Sequence, residues 1–178
     1  MYSWRITKYN PNNRDNRGSY MIDEWTSIND IGSIFNNGEL LIEEYIRTED
    51  LYIDSVIKFM ECNRINYLKI TELEKSSDSI EIEKFIELYD EKMISLYQKA
   101  TAGIKLNKRD VILICKLILR NNLWCKLIYE SKMFVHFGYD YYMYIGSLKK
   151  CNLAINKITE SGLFVEEFES PYHSEEDE

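Results

Sequence analysis

The chain has 178 residues, of which 45% are hydrophobic and 29% charged, and its formal net charge is −8. This length suits one domain with a proper core, and the composition excludes an intrinsically disordered chain. No apolar run reaches the roughly 18–20 residues that cross a bilayer. The first residues, MYSWRITKYN, carry charges where a signal peptide is apolar. We therefore expect a cytoplasmic protein without a membrane segment.

The charge is distributed unevenly along the chain. Residues 1–38 are neutral overall, and residues 39–91 hold fifteen acids and six bases. Residues 92–161 hold four acids and twelve bases, and residues 162–178 hold seven acids and no base. Such asymmetry acts on the choice of partner and on the association rate more than on the fold.

The first half of the chain predicts short strands and long amphipathic helices. Residues 3–9 alternate as a strand, 10–19 read as a loop, and 19–27 are compatible with a second strand. Ser27 and Asp30 have the spacing of a capping box for a short helix. Apolar periodicity then predicts helices over 42–62, over 80–99 and after the N-cap Asn107, with a strand at 66–74 before the second of them.

The second half predicts a meander of three strands followed by a helix and a last strand. These elements cover residues 123–129, 133–138, 141–146, 148–160 and 163–168. We predict a single α+β domain over residues 1–170, with an antiparallel sheet and about four helices, and a flexible acidic tail over 171–178.

The four cysteines are irregularly spaced and include no CxxC pair. We expect Cys62, Cys115, Cys125 and Cys151 to be reduced and mostly buried. No His or Cys pairs lie at the short spacing of a zinc site, so we predict no metal and no cofactor.

The stretch FVHFGYDYYMYIGS, residues 134–147, has the highest aromatic density. In a hairpin its odd positions form an apolar face for the core, which leaves the opposite face polar and aromatic. That face comprises Phe134, His136, Asp140, Tyr142 and Tyr144. It is either covered by the protein's own helices or a surface for a ligand or partner. Catalysis by His136 with Asp140 is a third interpretation, but no nucleophile motif accompanies it.

The predicted helix over 42–62 carries an acidic face. Its carboxylates are Glu43, Glu44, Glu49, Asp50 and Asp54. Carboxylate-bridged metal sites also need Glu-x-x-His motifs, which neither histidine supplies. The face is therefore interpreted as solvated, or as a surface that meets a basic partner. The bases from Lys99 to Lys132 are spread singly among apolar residues, which favours pairing with the acidic middle over nucleic-acid binding.

Four blocks, WRITKYNP, DEWTSINDIG, LRNNLWCKL and FVHFGYDYYMYIGS, resemble blocks shared by a group of small uncharacterised bacterial proteins. That group is loosely similar to the immunity proteins of bacterial toxin systems. The resemblance implies a cognate protein toxin, of the basic nuclease type, as partner, and it carries no functional residues over to this chain.

Three functions follow as hypotheses. The first is a cytoplasmic, non-enzymatic module that binds a basic protein, in its most concrete form an immunity protein. The second is a small-molecule-binding protein or enzyme with a site around His136, Asp140 and Tyr142. The third is a structural or regulatory subunit whose charge asymmetry drives self-association.

Overall fold

The computed structural model describes residues 1–75, 77–80, 82 and 84–173. In this part of the chain the strands are β1 (Tyr2–Thr7), β2 (Ile34–Phe35), β3 (Gly38–Glu39), β4 (Tyr67–Lys75), β5 (Lys105–Asn107), β6 (Leu123–Tyr129), β7 (Met133–Phe137), β8 (Met143–Ser147) and β9 (Phe164–Glu167). The α-helices are α1 (Ile42–Asn63), α2 (Glu91–Lys99), α3 (Lys108–Leu119) and α4 (Asn152–Glu160). Three short 3₁₀ turns cover Pro11–Asn13, Ile28–Asp30 and Ile86–Leu88.

Seven strands form one sheet in the order β5-β4-β6-β7-β8-β1-β9, and neighbouring strands are antiparallel. β2 and β3 form a separate hairpin. The helices α1 and α3 contact one face of the sheet, which we call the inner face, and α2 and α4 pack against these two helices. The predicted α+β class with four helices and an antiparallel sheet is confirmed.

Helix α1 forms because its apolar residues recur at helical spacing and bury one continuous stripe. Tyr45, Tyr52, Val56 and Phe59 are fully buried, and the Phe59 ring lies 5.3 Å from that of Trp4 on β1. The helix ends where Arg64 adopts a left-handed conformation and its N–H bonds back to the last turn. The predicted helix over 42–62 is confirmed to within one residue.

The meander over β6, β7 and β8 is confirmed, and its inner face is apolar as predicted. Met133, Val135, Met143 and Ile145 are fully buried. Strand β1 continues the sheet beyond β8 and pairs on its other side with β9. The ends of the chain therefore lie next to each other in the sheet, a pairing that local sequence patterns do not contain.

Three predicted elements differ from the structure, and one of them, the helix expected over 148–160, begins only at Asn152. The helix expected over 80–99 begins only at Glu91, because the Asp90 side chain accepts a hydrogen bond from the Met93 N–H and caps it there. Residues 19–27 form no strand beyond a single bridge between Tyr20 and Arg14. Ser27 and Asp30 do form the expected capping box, although it starts a 3₁₀ turn instead of an α-helix.

The prediction that all four cysteines are reduced is wrong for two of them. Cys62 at the end of α1 and Cys151 at the start of α4 form a disulfide, which links positions 89 residues apart. Cys115 and Cys125 are free and fully buried, and burial raises the pKa of both thiols, so neither is a reactive thiolate. Distant cysteines give no pairing signal in one sequence, because only the fold brings them together.

The described chain contains no helix that is long and apolar enough to cross a membrane. Of the tail predicted over 171–178, residues 174–178 lie outside the described residues. Residues 171–173 follow the sheet, and Tyr172 is partly buried against it.

Candidate functional site

A row of side chains crosses the outer face of the sheet, on the side away from α1 and α3. The strand register places Lys126, His136, Tyr144, Arg5 and Glu166 opposite one another on five consecutive strands. Because directly paired residues share a face, these five side chains form one continuous row. Glu166 accepts hydrogen bonds from Arg5 at 3.1 Å and from Arg14 at 2.8 Å.

The C-terminal segment Phe168–His173 covers this row. Phe134, His136 and Tyr144 are only 3%, 0% and 7% exposed. The Ser170 hydroxyl lies 2.9 Å from Nδ1 of His136, and the Arg5 guanidinium lies 4.1 Å above the Phe168 ring. This part of the outer face is thus covered by the chain's own C-terminal segment, and it is neither packed against helices nor exposed to solvent. Three of the five residues proposed from the hairpin are closed to a partner in this conformation.

The β7–β8 turn is the exposed end of that hairpin. Asp140 and Tyr141 both have positive φ, at 56° and 61°, and the Tyr142 N–H donates to the Tyr139 carbonyl. Two left-handed residues form the type I′ turn that suits a hairpin, a conformation that costs a residue such as tyrosine about 1–3 kcal/mol. The turn directs Tyr141 inwards but leaves Tyr139 85% exposed. The prediction that all odd positions face the core is therefore wrong for Tyr139, because the turn interrupts the alternation.

Tyr141 holds the turn in place from inside. Its ring contacts those of Trp25, Tyr45 and Tyr52 at centroid distances of 4.9, 6.1 and 5.2 Å. The Tyr52 hydroxyl donates to the Tyr141 carbonyl at 2.6 Å and accepts from the Lys8 N–H at 2.7 Å. Burial raises the pKa of Tyr52 well above its usual value, so this hydroxyl stays neutral. The contact with Tyr45 also places the first turn of α1 at this end of the molecule.

The structure does not assemble the site proposed around His136, Asp140 and Tyr142. His136 is buried in the middle of β7 under Ser170, whereas Asp140 lies exposed at the tip of the turn. Strand β7 ends at Phe137, and Gly138 and Tyr139 lie between its end and Asp140 in the turn. Tyr142 is half-buried beside Tyr9, at a ring distance of 5.4 Å. His136 and Asp140 therefore cannot act as an acid–base pair in this conformation.

The acidic face of α1 is only partly a surface. Glu49 is fully buried and forms a two-bond ion pair with Arg120, with 2.7 Å between each N–O pair. The interpretation of Glu49 as a solvated or partner-facing carboxylate is therefore wrong. Its helical position predicts burial as readily as exposure, and the matching arginine lies 71 residues away. Only the fold shows the pair.

The other four acids of the predicted face separate into two groups. Asp50 lies 3.6 Å from Lys116, and Asp54 pairs with Lys58. Glu43 and Glu44 in the first turn are exposed and have no ion pair within the described part of the chain. Arg47, one turn further, makes none with them. The acidic charge available to a partner therefore concentrates at the start of α1.

Exposed apolar side chains precede these carboxylates in the chain, on the β2–β3 hairpin and at the N-cap of α1. Ile34 is 83% exposed and pairs with Glu39, so both side chains lie on the same face of the hairpin. Leu41 is 54% exposed, whereas its neighbour Leu40 is buried. We call Ile34, Glu39, Leu41, Glu43 and Glu44 the hairpin surface. The Asn37–Gly38 dipeptide is a hairpin signal that could have pointed to it.

A cleft of about 700 Å³ opens beside the β7–β8 turn. Its walls come from the start of β6, the end of β4, the loop after α3 and the β7–β8 turn. Residues that line it include Trp124, Tyr139, Tyr172, Glu74 and Asp140. The Trp124 indole N–H donates to the Phe137 carbonyl at 2.7 Å, which holds the ring in position.

A second cleft, of about 720 Å³, is lined by Ser131, Phe134, Ser170 and His173 among others, and it borders the end of the described chain. Among the described residues no group of three or more His, Cys, Asp or Glu side chains could hold a metal ion. Comparison with protein-family models, with curated proteins and with solved structures finds no match to this chain.

Proposed function

We propose that this protein is a non-enzymatic binding module that takes a basic protein partner on its hairpin surface. The observation that carries the proposal is the exposure of Ile34 and Leu41, at 83% and 54%, beside three carboxylates. Those of Glu43 and Glu44 have no ion pair within the described chain. An apolar centre with a charged rim is the usual composition of a protein interface.

The charge of the rim decides which partners approach. Three carboxylates at one end of a domain attract a basic surface and repel acidic ones, which raises the association rate and excludes wrong partners. A stable interface buries about 800 Å² on each side, more than two apolar side chains supply. The Tyr141–Tyr45 contact joins the β7–β8 turn to the first turn of α1, and we propose that the exposed Tyr139 on that turn adds to the contact area.

In its narrower form the proposal is an immunity protein that neutralises a cognate toxin of the basic nuclease type. This form rests on the resemblance of four sequence blocks to proteins similar to toxin-system immunity proteins. The acidic, partly apolar surface suits that role, because it would pair with a cationic nucleic-acid-binding groove.

The experiment compares three forms of the tagged protein in pull-downs from the host. These are the wild type, a Glu43→Lys/Glu44→Lys variant, and a Glu160→Lys control on α4, whose carboxylate is also exposed on a helix. We expect the wild type and the control to retain the same basic protein at low salt, and the double variant to lose it. The purified partner should bind the double variant more weakly than the wild type, by about tenfold for each 1.4 kcal/mol of binding free energy lost. Its binding to the wild type should also weaken steeply as the salt concentration rises. Equal retention by all three forms contradicts the proposal.

A cytoplasmic location is part of the proposal, and one observation bears against it. The Cys62–Cys151 disulfide is typical of an oxidising compartment. Acid quenching of the cells traps the thiol state, and alkylation in denaturant then counts the free thiols, including the buried Cys115 and Cys125. Two alkylated cysteines indicate an oxidising compartment, and four alkylated cysteines indicate the cytoplasm.

A further inference from the structure

The cleft beside the β7–β8 turn has aromatic walls. Tyr139 is 85% exposed and Tyr172 lies against Gly138, where an added Cβ would meet its ring at 3.2 Å. The Trp124 ring lies 6.0 Å from the Tyr172 ring, with a tilt of 53° between their planes. Planar, polarisable rings of this kind bind cationic groups through their faces.

The same cleft has an excess of hydrogen-bond acceptors. Glu74 lies opposite Trp124 in the β4–β6 register, and Asp140 lies at the turn. Both carboxylates are exposed and make no hydrogen bond or ion pair within the described chain. Asn122, another lining residue, has a buried side-chain oxygen that receives no hydrogen bond from the described residues.

Lys75, the cation among the residues that line the cleft, already has partners. The Lys75 ammonium donates to the Tyr97 carbonyl at 2.6 Å and lies 5.0 Å above the Tyr97 ring. It therefore does not neutralise Glu74 or Asp140. A ligand with several N–H donors, a positive charge and a flat face would therefore complement the acceptors, the carboxylates and the aromatic rings of this cleft.

We infer that the cleft binds a guanidinium group. Guanidinium is planar and always charged, carries five N–H donors and stacks on aromatic faces, whereas an ammonium is a compact, strongly hydrated charge. In this arrangement it stacks between Tyr139 and the Trp124–Tyr172 pair and donates to Asp140 and Glu74. The group comes either from an arginine side chain of another protein or from a free guanidine compound.

The test uses purified protein and no partner protein, so its failure leaves the proposed function untouched. Signals of the Trp124 indole and the backbone of residues 138–142 are followed by NMR during titration. The probes are free L-arginine, acetyl-Gly-Arg-Gly-amide and its lysine counterpart. We expect saturable shifts at these signals with an arginine probe, and at least about tenfold weaker binding of the lysine peptide.

Three variants make the test specific. Asp140→Asn removes the charge and keeps a residue type that tolerates positive φ. Glu74→Gln and Tyr139→Ala change exposed side chains of the cleft, and Glu160→Gln is the control. Each of the first three should weaken arginine binding by about tenfold, and the control should not. Binding of the peptide alone identifies a protein arginine as the source, and binding of free arginine alone identifies a small molecule. Absence of saturable binding, equal binding of the lysine peptide, or shifts that Asp140→Asn does not change would overturn the inference.

Discussion

Glu49 on α1 and Arg120 after α3 form an ion pair with two parallel hydrogen bonds of 2.7 Å, and both side chains are buried. A buried pair costs desolvation when it forms, but removing one partner leaves an uncompensated charge in the interior. Arg120 also donates to the Leu88 carbonyl and lies 5.1 Å from the Tyr89 ring. The pair therefore joins α1, α3 and the segment before α2.

Replacing one member of this pair should destabilise the fold strongly. We expect Arg120→Met to lower the free energy of unfolding by about 3–5 kcal/mol, because Glu49 is left buried with only the Lys116 ammonium, 3.9 Å away, as a cation. Urea denaturation followed by circular dichroism measures it. The control is Asp50→Asn, which removes the partly exposed contact with Lys116 and should cost less than about 1 kcal/mol. Equal costs for the two variants would show that Glu49 finds another partner.

Stability should fall in acid partly through Glu166. Burial acts to raise the pKa of this carboxyl, but hydrogen bonds from Arg14 and Arg5 outweigh it, so the pKa lies below its ordinary value. A carboxyl with a lowered pKa stabilises the fold above its unfolded pKa, and that contribution is lost as pH falls through the folded value. Glu166→Gln should therefore lower the melting temperature near neutral pH and flatten its acid dependence.

Melting curves between about pH 3 and 7 check this, since the unfolded carboxyl titrates near pH 4.3. The matched control is Glu160→Gln, whose curve should follow that of the wild type. If the curves of Glu166→Gln and the wild type ran parallel, the contacts of Arg5 and Arg14 with this carboxylate would contribute nothing to the pH dependence of stability.

The Cys62–Cys151 disulfide should stabilise the domain. A crosslink over 89 residues restricts the unfolded chain, which in the chain-entropy account contributes roughly 3–5 kcal/mol. Dithiothreitol should lower the urea midpoint of the wild type. A Cys62→Ser/Cys151→Ser variant should unfold at one midpoint with and without reductant. Titration of four free thiols in unfolded, unreduced protein would contradict the pairing.

Gly146 on β8 is required by the ring beside it. A Cβ at this position would lie 2.0 Å from Cε1 of Phe134, whose ring stacks 4.3 Å from that of His136 under the C-terminal segment. Gly146→Ala should cost about 1–3 kcal/mol through overpacking. Combining it with Phe134→Leu should recover part of that loss, which a double-mutant cycle measures. Additive losses would show that the two positions do not touch.

Local patterns in the chain predict most elements because they depend on neighbouring residues. The spacing of apolar residues in α1, the Asn107 cap of α3 and the alternation in β7 and β8 are each readable within a few turns or strands. The late start of α2 shows the limit, because apolar spacing extends the predicted helix to residue 80, whereas the cap at Asp90 starts it eleven residues later, at Glu91.

The residues of the candidate site could be predicted less completely from the sequence than the helices and strands. The sequence pointed to Asp140 and the first turn of α1, which remain exposed, but also to His136, Phe134 and Tyr144, which the chain's own end covers. Tyr139, Ile34 and Leu41 were missed as site residues because alternation and helical spacing assign faces without showing what lies over them.

By itself, the sequence determined the domain class, the apolar inner face of the meander and the uneven distribution of charge. Only the tertiary structure decided which acids are free and which faces are closed. Glu49 meets Arg120 across 71 residues, Cys62 meets Cys151 across 89, and Ser170 covers His136 across 34. Such contacts depend on the order of the strands in the sheet and on where the first and last segments of the chain pack. No local spacing of residues encodes either.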